Sequence, residues 1–318
     1  MLLLDRCSGV ACTLKGVIMK ICDGRVVAIT GAGRGIGREH ALAFAAAGAK
    51  VVVNDLGASL TGDPTDETPA QEVVRTITSM GGEAVVNTDD ISDWDGAGRF
   101  IAQAIDAFGA LDTLVCNAGI VRDRMLVNMS VDEWDAVMRV HLRGTFCPVR
   151  HAIGYWREQH KTGNAREARI VTTSSGAGLF GSVSQANYSA AKAGIATFTI
   201  VAAAELQRYD ILANTIAPSA RSRMTEDAFA EMMAKPDTGF DKMDPANISP
   251  VVVWLGSSAC NVTGRAFEIA GGELSIADGW QHGVPFDKDD KYDADEIGAV
   301  ITDLIRNGPS QAPVYGAS

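Results

Sequence analysis

The sequence has little positive charge, no paired cysteines and no long hydrophobic run. Its 318 residues include 28 lysines and arginines against 39 acidic residues, a formal net charge of −11 at pH 7. Because such a surface repels phosphates, we expect neither nucleic acid nor an anionic membrane as a partner. No apolar run approaches the roughly 20 residues that a membrane-spanning helix needs.

The six cysteines, at positions 7, 12, 22, 116, 147 and 260, form no Cys-x-x-Cys pair. Their spacing predicts no metal site, and unpaired thiols within apparent strands and helices are typical of a reduced, cytoplasmic protein. The length suffices for one large domain. We expect a disordered extension over residues 1–18, one domain over 19–285, and an acidic linker, short helix and tail over 286–318.

Apolar, β-branched runs alternate with helical patterns along most of the chain. The first unit has a strand at residues 24–30, a helix at 38–47 and a strand at 51–55, and similar units follow as far as a last strand at 266–269. This alternation predicts an α/β fold, a doubly wound parallel sheet of the Rossmann type in a single domain with a C-terminal helical extension at 296–307.

A glycine-rich loop connects the first strand to the first helix. It departs from the usual Gly-x-Gly-x-x-Gly spacing and fits Thr-Gly-x-x-x-Gly-x-Gly, from Thr30 to Gly37. Backbone N–H groups at such a helix start can bind a pyrophosphate. We therefore assign to cofactor binding Gly31, Arg34, Gly35, Ile36 and Gly37.

Asp55 ends the second strand about 20 residues after the loop, where a carboxylate hydrogen-bonds the ribose of NAD and repels the 2′-phosphate of NADP. NAD is therefore the expected cofactor, although Arg34 could reach a 2′-phosphate. A strand-capping aspartate is the alternative interpretation. Further cofactor contacts are expected at the ends of later strands, from Asp90, Ile91, Asn117, Ala118, Gly119 and Pro218.

Tyr188 and Lys192 are four positions apart, which places them on one face of a helix. A nearby cation favours phenolate, so the spacing predicts a pKa for Tyr188 below its ordinary value of about 10 and a usable base near neutral pH. Ser175 follows an apolar strand, at the edge where ligands collect in such sheets. An incidental tyrosine and lysine is the simpler explanation of the pair alone; the serine and the glycine loop favour catalysis.

As a set, residues 30–37, residues 117–119, Ser175 and Tyr188-x-x-x-Lys192 resemble the short-chain dehydrogenase/reductase family over about residues 24–272. Strings such as Gln185-Ala-Asn-Tyr-Ser-Ala-Ala-Lys192 are similar to the (3R)-hydroxyacyl-CoA dehydrogenase part of peroxisomal multifunctional enzymes and their bacterial relatives. The resemblance implies that Tyr188 is the general base, that Lys192 lowers its pKa and holds the nicotinamide ribose, and that Ser175 hydrogen-bonds the substrate oxygen.

His141 stands where the family usually has asparagine, and the multifunctional enzymes also have histidine there. It either holds the same water or merely packs. The implied activity is NAD-dependent oxidation of a secondary alcohol, with the 3-hydroxyl of an acyl-CoA thioester preferred. The alternatives are a hydroxysteroid dehydrogenase, an NADP-linked 3-oxoacyl reductase, which Asp55 disfavours, and a catalytically silent nucleotide-binding scaffold.

Two expectations concern partners. Small residues along the helix predicted at 188–209 would let helices approach closely across a subunit boundary, which predicts a homodimer or homotetramer. An acidic protein also needs a local basic patch to hold coenzyme A. Arg122, Arg124, Arg221 and Arg223 follow strand ends and are the candidates, with residues 221–245 as a mobile lid.

Overall fold

The computed structural model describes residues 20–57, 68–221, 233–277, 279, 281–289, 291, 297–310 and 312–316, and the backbone alone of 13–14, 17–18 and 294–296. Within the predicted extension, a pair of two-residue antiparallel strands forms, β1 and β2, at Thr13–Leu14 and Val17–Ile18. The remainder of residues 1–18 lies outside the described part of the chain.

The main sheet has eight strands in the order β10-β9-β8-β7-β6-β3-β4-β5, and all neighbouring pairs are parallel except β10 with β9. From the central pair β3 and β6, the chain adds β4 and β5 on one side and β7, β8, β9 and β10 on the other. The sheet is therefore doubly wound, as predicted. The strands are β3 Val26–Thr30, β4 Lys50–Asn54, β5 Ala84–Asn87, β6 Thr113–Cys116, β7 Ala168–Thr173, β8 Ile211–Ser219, β9 Ala266–Ala270 and β10 Glu273–Ala277.

Helices cover both faces of the sheet. They are α1 Gly35–Ala46, α2 Pro69–Ser79, α3 Trp94–Phe108, α4 Val131–Met138, α5 Gly144–Lys161, α6 Gly176–Phe180, α7 Ala186–Leu206, α8 Ser249–Gly256 and α9 Ala294–Asn307. Short 3₁₀ turns occupy Leu126–Asn128, Gln207–Tyr209 and Pro245–Ile248. One core packs beneath α1, α2 and α8, and a second beneath α3, α5 and α7.

The strands form where apolar, β-branched residues run together. β3 is buried at all five positions and β7 at all six, as expected for strands covered on both faces. Because these strands are parallel, the carboxyl ends of β3, β4, β6, β7 and β8 meet at one edge of the sheet. Every candidate site residue taken from a strand end therefore lies along that edge.

Two strand predictions at the end of the sheet are wrong. Ala266–Ala270 is not the last strand, because a two-residue turn at Gly271 and Gly272 leads into the antiparallel edge strand β10. Gly271 has a φ of +60°, which glycine adopts without penalty. Pro218 does not end β8 either: it lies past the end of β7 and pairs with β9, so its missing N–H breaks no bond to β7.

The helical run over residues 131–161 is interrupted. α4 and α5 are separated by five residues of π-helix, Arg139–Arg143, and α5 continues to Lys161. A π turn inside a helical run is rare and is frequently found at functional sites.

The helix α7 with its 3₁₀ end, Ala186–Tyr209, is long and apolar enough to cross a membrane by length and composition alone, contrary to the sequence expectation. Its most apolar window has a mean hydropathy of 1.2 and is 44% buried. Core helices of soluble proteins have the same properties, and this one packs against β7 and β8.

Candidate active site

The glycine loop lies between β3 and α1, as the sequence predicts. Its glycines sit where a side chain cannot fit: a Cβ on Gly37 would lie 2.1 Å from the Gly31 carbonyl oxygen, and one on Gly31 would lie 2.7 Å from the Ala118 Cα. Helix α1 begins after Arg34 with no side-chain cap and no acidic residue in its first turn. Its first N–H groups and its positive dipole end are thus suited to a phosphate group.

Asp55 follows β4 and contacts the glycine loop. One carboxylate oxygen accepts a hydrogen bond from the Gly33 N–H at 3.2 Å, and the other accepts from the Gly57 N–H at 2.9 Å. The carboxylate is therefore fixed beside the loop that is suited to the pyrophosphate, which is where an adenosine ribose would follow.

The segment after β6 is bonded to the same loop. The Thr30 hydroxyl accepts from the N–H groups of Asn117 and Ala118, at 3.0 and 3.1 Å, and the Asn117 amide donates to the carbonyls of Thr30 and Gly31. Asn117 and Ala118 thus border the predicted cofactor cleft. The role of the Thr30 hydroxyl was missed because a threonine at a strand end carries no distinctive sequence signal.

Ser175 follows β7 and is the N-cap of the short helix α6, which the sequence did not indicate. Its Oγ accepts a hydrogen bond from the Ala177 N–H at 3.2 Å, so its own hydrogen remains able to point elsewhere. Burial raises the pKa of the Tyr188 phenol above its ordinary value, and a hydrogen bond with Ser175 opposes this rise. The structure therefore brings Ser175 and Tyr188 together, as predicted.

Lys192 is buried one turn after Tyr188 on α7. Its Nζ donates to the Thr173 carbonyl at 2.7 Å and lies 5.5 Å from the centroid of the Tyr188 ring. Burial lowers the pKa of Lys192 to about 7. A lysine that is not fully charged near neutral pH is a weaker electrostatic partner than the sequence analysis assumed.

The pKa of Tyr188 consequently moves opposite to the sequence prediction. Burial raises it above its ordinary value, the hydrogen bond from Ser175 opposes this, and the Asp123 carboxylate raises it further. The spacing of Tyr188 and Lys192 in the sequence shows the nearby charge but not the desolvation of either group.

His141 lies in the π turn and is buried. Its Nε2 is 3.0 Å from the Ile120 nitrogen and 2.6 Å from the Ile120 oxygen, while its Nδ1 is buried without a partner. Its ring meets the Tyr188 ring edge-on, with centroids 5.2 Å apart, and a Cβ on Gly119 would lie 2.4 Å from it. Burial, then the nearby Lys192, lower the pKa of His141 to about 3, so the ring is neutral.

The other predicted cofactor residues, Asp90, Ile91 and Pro218, also lie at the carboxyl edge of the sheet. Both Asp90 oxygens bond within the protein, to Ser92 and Arg139, and the Ile91 side chain is buried beside Gly144. These internal contacts fix the segment after β5 at this edge of the sheet, and its contact with a cofactor stays a prediction. Pro218 is partly buried near the end of β8.

The predicted basic patch is not assembled as expected. One guanidinium nitrogen of Arg221, Nη2, donates to both carboxylate oxygens of Asp241, at 2.8 and 2.9 Å, and Arg124 pairs with Glu133. Arg122 is exposed and its guanidinium donates to the Val121 carbonyl. Arg223 and the rest of residues 222–232, which are 11 of the 25 residues of the predicted lid, lie outside the described residues.

Asn187 is a structural contributor that sequence reasoning did not single out. Its amide donates to the carbonyls of Arg122 and Glu133, both at 3.1 Å, and its oxygen accepts the Tyr188 N–H. It therefore anchors the start of α7 and fixes the position of Tyr188. An asparagine beside the tyrosine motif gave no signal without those distant carbonyls.

The described residues fit a nicotinamide dinucleotide better than a metal. The glycine cradle, the uncapped start of α1 and the Asp55 carboxylate lie at one end of the cleft, and Ser175, Tyr188 and Lys192 at the other. Within the part of the chain that the structure describes, no group of three metal-ligating side chains occurs.

Known proteins share this arrangement. The family model for short chain dehydrogenases matches residues 25–232. The hydroxyacyl-CoA dehydrogenase ChsB1 of Mycobacterium tuberculosis is 44% identical over 260 residues, 80% of each chain. Peroxisomal multifunctional enzyme type 2 of Mus musculus is 42% identical over 250 residues, 79% of this chain but only 32% of the mouse protein.

A solved structure gives the same result. The crystal structure of a short chain dehydrogenase from Mycobacterium avium superposes with a TM-score of 0.84 at 53% sequence identity, covering 93% of this chain and all of that one. The fold and the family resemblance predicted from the sequence are confirmed. The chain belongs to the short-chain dehydrogenase family of oxidoreductases.

Proposed function

We propose that this protein oxidises a secondary alcohol with NAD and that its substrate is a 3-hydroxyacyl-CoA thioester. The observation that carries the chemistry is the convergence of Ser175, Tyr188 and Lys192 at the carboxyl edge of the sheet. The substrate class is supported by the similarity to a mycobacterial hydroxyacyl-CoA dehydrogenase that the chain matches over most of its length.

In the proposed reaction Tyr188 is the general base. Its phenolate takes the proton of the substrate hydroxyl while the carbon that bears this hydroxyl loses a hydride. The redox chemistry, acceptance of that hydride, would be supplied by a nicotinamide bound in the cleft. Ser175 donates its hydroxyl hydrogen to the substrate oxygen and so holds that oxygen beside Tyr188, which is a contribution of orientation.

The protonation of Tyr188 and Lys192 is best treated as a property of the pair. A neutral phenol with a neutral amine holds the same number of protons as a phenolate with an ammonium. The lowered pKa of Lys192, about 7, means that the pair loses its first proton near neutral pH. The single-proton state that contains phenolate therefore becomes available there, even though burial alone disfavours phenolate.

The preference for NAD rests on Asp55. Its carboxylate is held by the Gly33 and Gly57 N–H groups, so it cannot swing away from a 2′-phosphate without losing two hydrogen bonds. Repulsion between these like charges disfavours NADP, whereas the two ribose hydroxyls of NAD can donate to the carboxylate.

One assay tests the proposal. Purified protein is incubated with NAD or NADP and with a panel of 3-hydroxyacyl-CoA esters and hydroxysteroids, and reduced cofactor is followed by its absorbance. We expect turnover of the CoA esters with NAD. Turnover of steroids alone would reject the substrate class, efficient use of NADP would reject the cofactor assignment, and the absence of all turnover would favour a silent nucleotide-binding scaffold.

We further propose that the protein is a cytoplasmic homodimer or homotetramer. A surface groove runs between α4, α5 and α7, and the surface that it exposes is almost entirely apolar. It is lined by Met138, Arg139, Leu142, Arg143, Phe146 and Phe198. Phe146, Ile200 and Val201 are each about half exposed, at 45, 50 and 49%.

The described cysteines are free thiols, which suits a reducing compartment.

A further inference from the structure

The end of the described chain returns to the candidate active site. Residues 312–316, here called the C-terminal strap, run parallel to the loop between Ser175 and Tyr188. The Val183 N–H donates to the Tyr315 carbonyl at 2.9 Å, and the Tyr315 N–H donates to the Gly181 carbonyl at 3.2 Å. The strap is thus hydrogen-bonded, as a short strand, to the loop that connects two proposed catalytic residues.

The Tyr315 side chain occupies a space that only glycine leaves open. A Cβ on Gly176 would lie 2.9 Å from the Tyr315 Cε2 and 3.0 Å from its hydroxyl oxygen, and the third nearest atom is also of Tyr315. On its other side the ring meets Phe180 edge-on, with centroids 6.2 Å apart. Gly176 directly follows Ser175, so the ring packs on the residue next in the chain to the proposed oxygen-binding serine.

Half of the Tyr315 side chain remains exposed. One part of the ring therefore packs on the loop while the other is available to a ligand. Burial, followed by the nearby Glu268, raises the pKa of Tyr315, which keeps its hydroxyl neutral at physiological pH. An uncharged aromatic surface of this kind suits contact with an apolar group.

The strap is held by its own contacts rather than by the helix before it. On α9, Ile301, Leu304 and Ile305 are 49, 42 and 74% exposed, so this helix does not bury its apolar stripe within the chain. The contacts of Tyr315 with Gly176, Phe180 and the loop backbone are consequently the ones that fix the strap beside the site.

We propose that the C-terminal strap forms part of the substrate-binding site and that Tyr315 limits the bulk of the substituent on the carbon that is oxidised. The inference rests on the proposed function, because it assumes that the substrate oxygen binds at Ser175. A ring fixed on the residue after that serine would remove volume from the substrate site. One methylene group more or less in such a site changes relative kcat/KM by about 10–200-fold.

Contact between the C-terminal strap and the loop can be tested by hydrogen exchange, with no measurement of enzyme activity. Deletion of residues 309–318 should accelerate hydrogen exchange in residues 176–185, most clearly at the Val183 amide, whose hydrogen-bond acceptor is removed. Equal exchange in the full chain and the deletion variant would overturn the inference, whatever the enzyme oxidises.

Specificity is tested by substitution. Tyr315→Ala should raise the ratio of kcat/KM for long or branched substrates over short ones by about tenfold or more, and leave the KM for NAD unchanged. Tyr315→Phe keeps the ring and should leave the ratio within about twofold. Ile305→Ala, on α9 away from the loop, is the matched control and should change nothing. An unchanged ratio for Tyr315→Ala would reject the role of this residue.

A double-mutant cycle separates the strap from an indirect effect. Gly176→Ala adds one methyl group whose nearest neighbours are Tyr315 atoms, so it should shift the same ratio in the wild-type background and have no further effect beside Tyr315→Ala. Independent, additive effects would contradict the inference. If only steroids are oxidised, the proposed substrate class fails, and the same ratio measured on steroids of different bulk still decides the role of the strap.

Discussion

The phenolic oxygen of Tyr188 is the single atom on which the proposed proton transfer depends. Tyr188→Phe deletes it and keeps the ring that packs against His141. We expect kcat to fall by about 10²–10⁴-fold, the usual contribution of a general base, with the dissociation constant for NADH unchanged. Steady-state kinetics and NADH fluorescence titration measure the two quantities. Retention of more than about a hundredth of wild-type kcat would remove Tyr188 from this role.

The Tyr188 and Lys192 pair also predicts a pH dependence. With the pKa of Lys192 lowered to about 7, the pair holds both protons below that pH and has lost one above it. Because oxidation needs the single-proton state, kcat/KM should rise about tenfold per pH unit below pH 7 and level off above it. A profile that stays flat below pH 7, or one that rises only above about pH 10, would separate the base from this pair.

Asp55 is the residue that should determine cofactor choice. Asp55→Ser removes the charge and the acceptors for ribose, so the KM for NAD should rise and the KM for NADP should fall. Asp55→Asn is the matched control, because it removes the charge and keeps an acceptor for the Gly33 or Gly57 N–H. If neither variant changes either KM, discrimination lies elsewhere, with Arg34 as the next candidate.

At the scale of elements, the junction of β3, α1 and β6 depends on Gly37. A Cβ there would meet the Gly31 carbonyl and the Asn117 amide, 2.1 and 2.4 Å away. Gly37→Ala should lower the free energy of unfolding by about 1–3 kcal/mol and weaken NADH binding more than tenfold. Gly154→Ala, in an open position on α5, is the control and should be neutral or slightly stabilising. NADH affinity within a factor of two of wild type would show that the cradle tolerates the methyl group.

Elements whose ends are marked locally were predictable from sequence. α3 is such an element, because the Asp93 cap precedes it and Gly109, with a φ of +80°, ends it. The π turn was not predictable from sequence, because His141 in this turn contacts Ile120, which lies twenty-one positions earlier. The strap beside Gly176 was equally unpredictable, since no local pattern links residue 315 to residue 176.

The residues of the proposed active site were likewise only partly predictable from sequence. Ser175, Tyr188 and Lys192 were found because strand ends and a four-residue spacing bring them together by rule. The direction of the Tyr188 pKa was wrong because burial is a property of the folded protein. Arg221 was misassigned because its partner, Asp241, is twenty positions away along the chain.

At the scale of the whole molecule, the exposed apolar groove on α4, α5 and α7 predicts self-association. Light scattering at micromolar concentration should give the mass of a dimer or tetramer. Phe146→Asp places a charge in the groove and should shift the population toward monomer, because an unpaired charge is unfavourable in an apolar contact. Trp254→Asp, at an exposed position on α8, is a control for general effects of added charge. A wild-type monomer at this concentration would reject the proposal.

The π turn between α4 and α5 also governs the rotational phase of the helices on its two sides. In an uninterrupted α-helix, at roughly 100° per residue, Val137 and Trp156 would point about 100° apart. Both are buried, at 0 and 2% exposure. One extra residue in the turn accounts for that angle, and His141 within the turn contacts Ile120. Insertion or deletion of one residue in this segment would therefore rotate every later side chain of the helical run by about 100°.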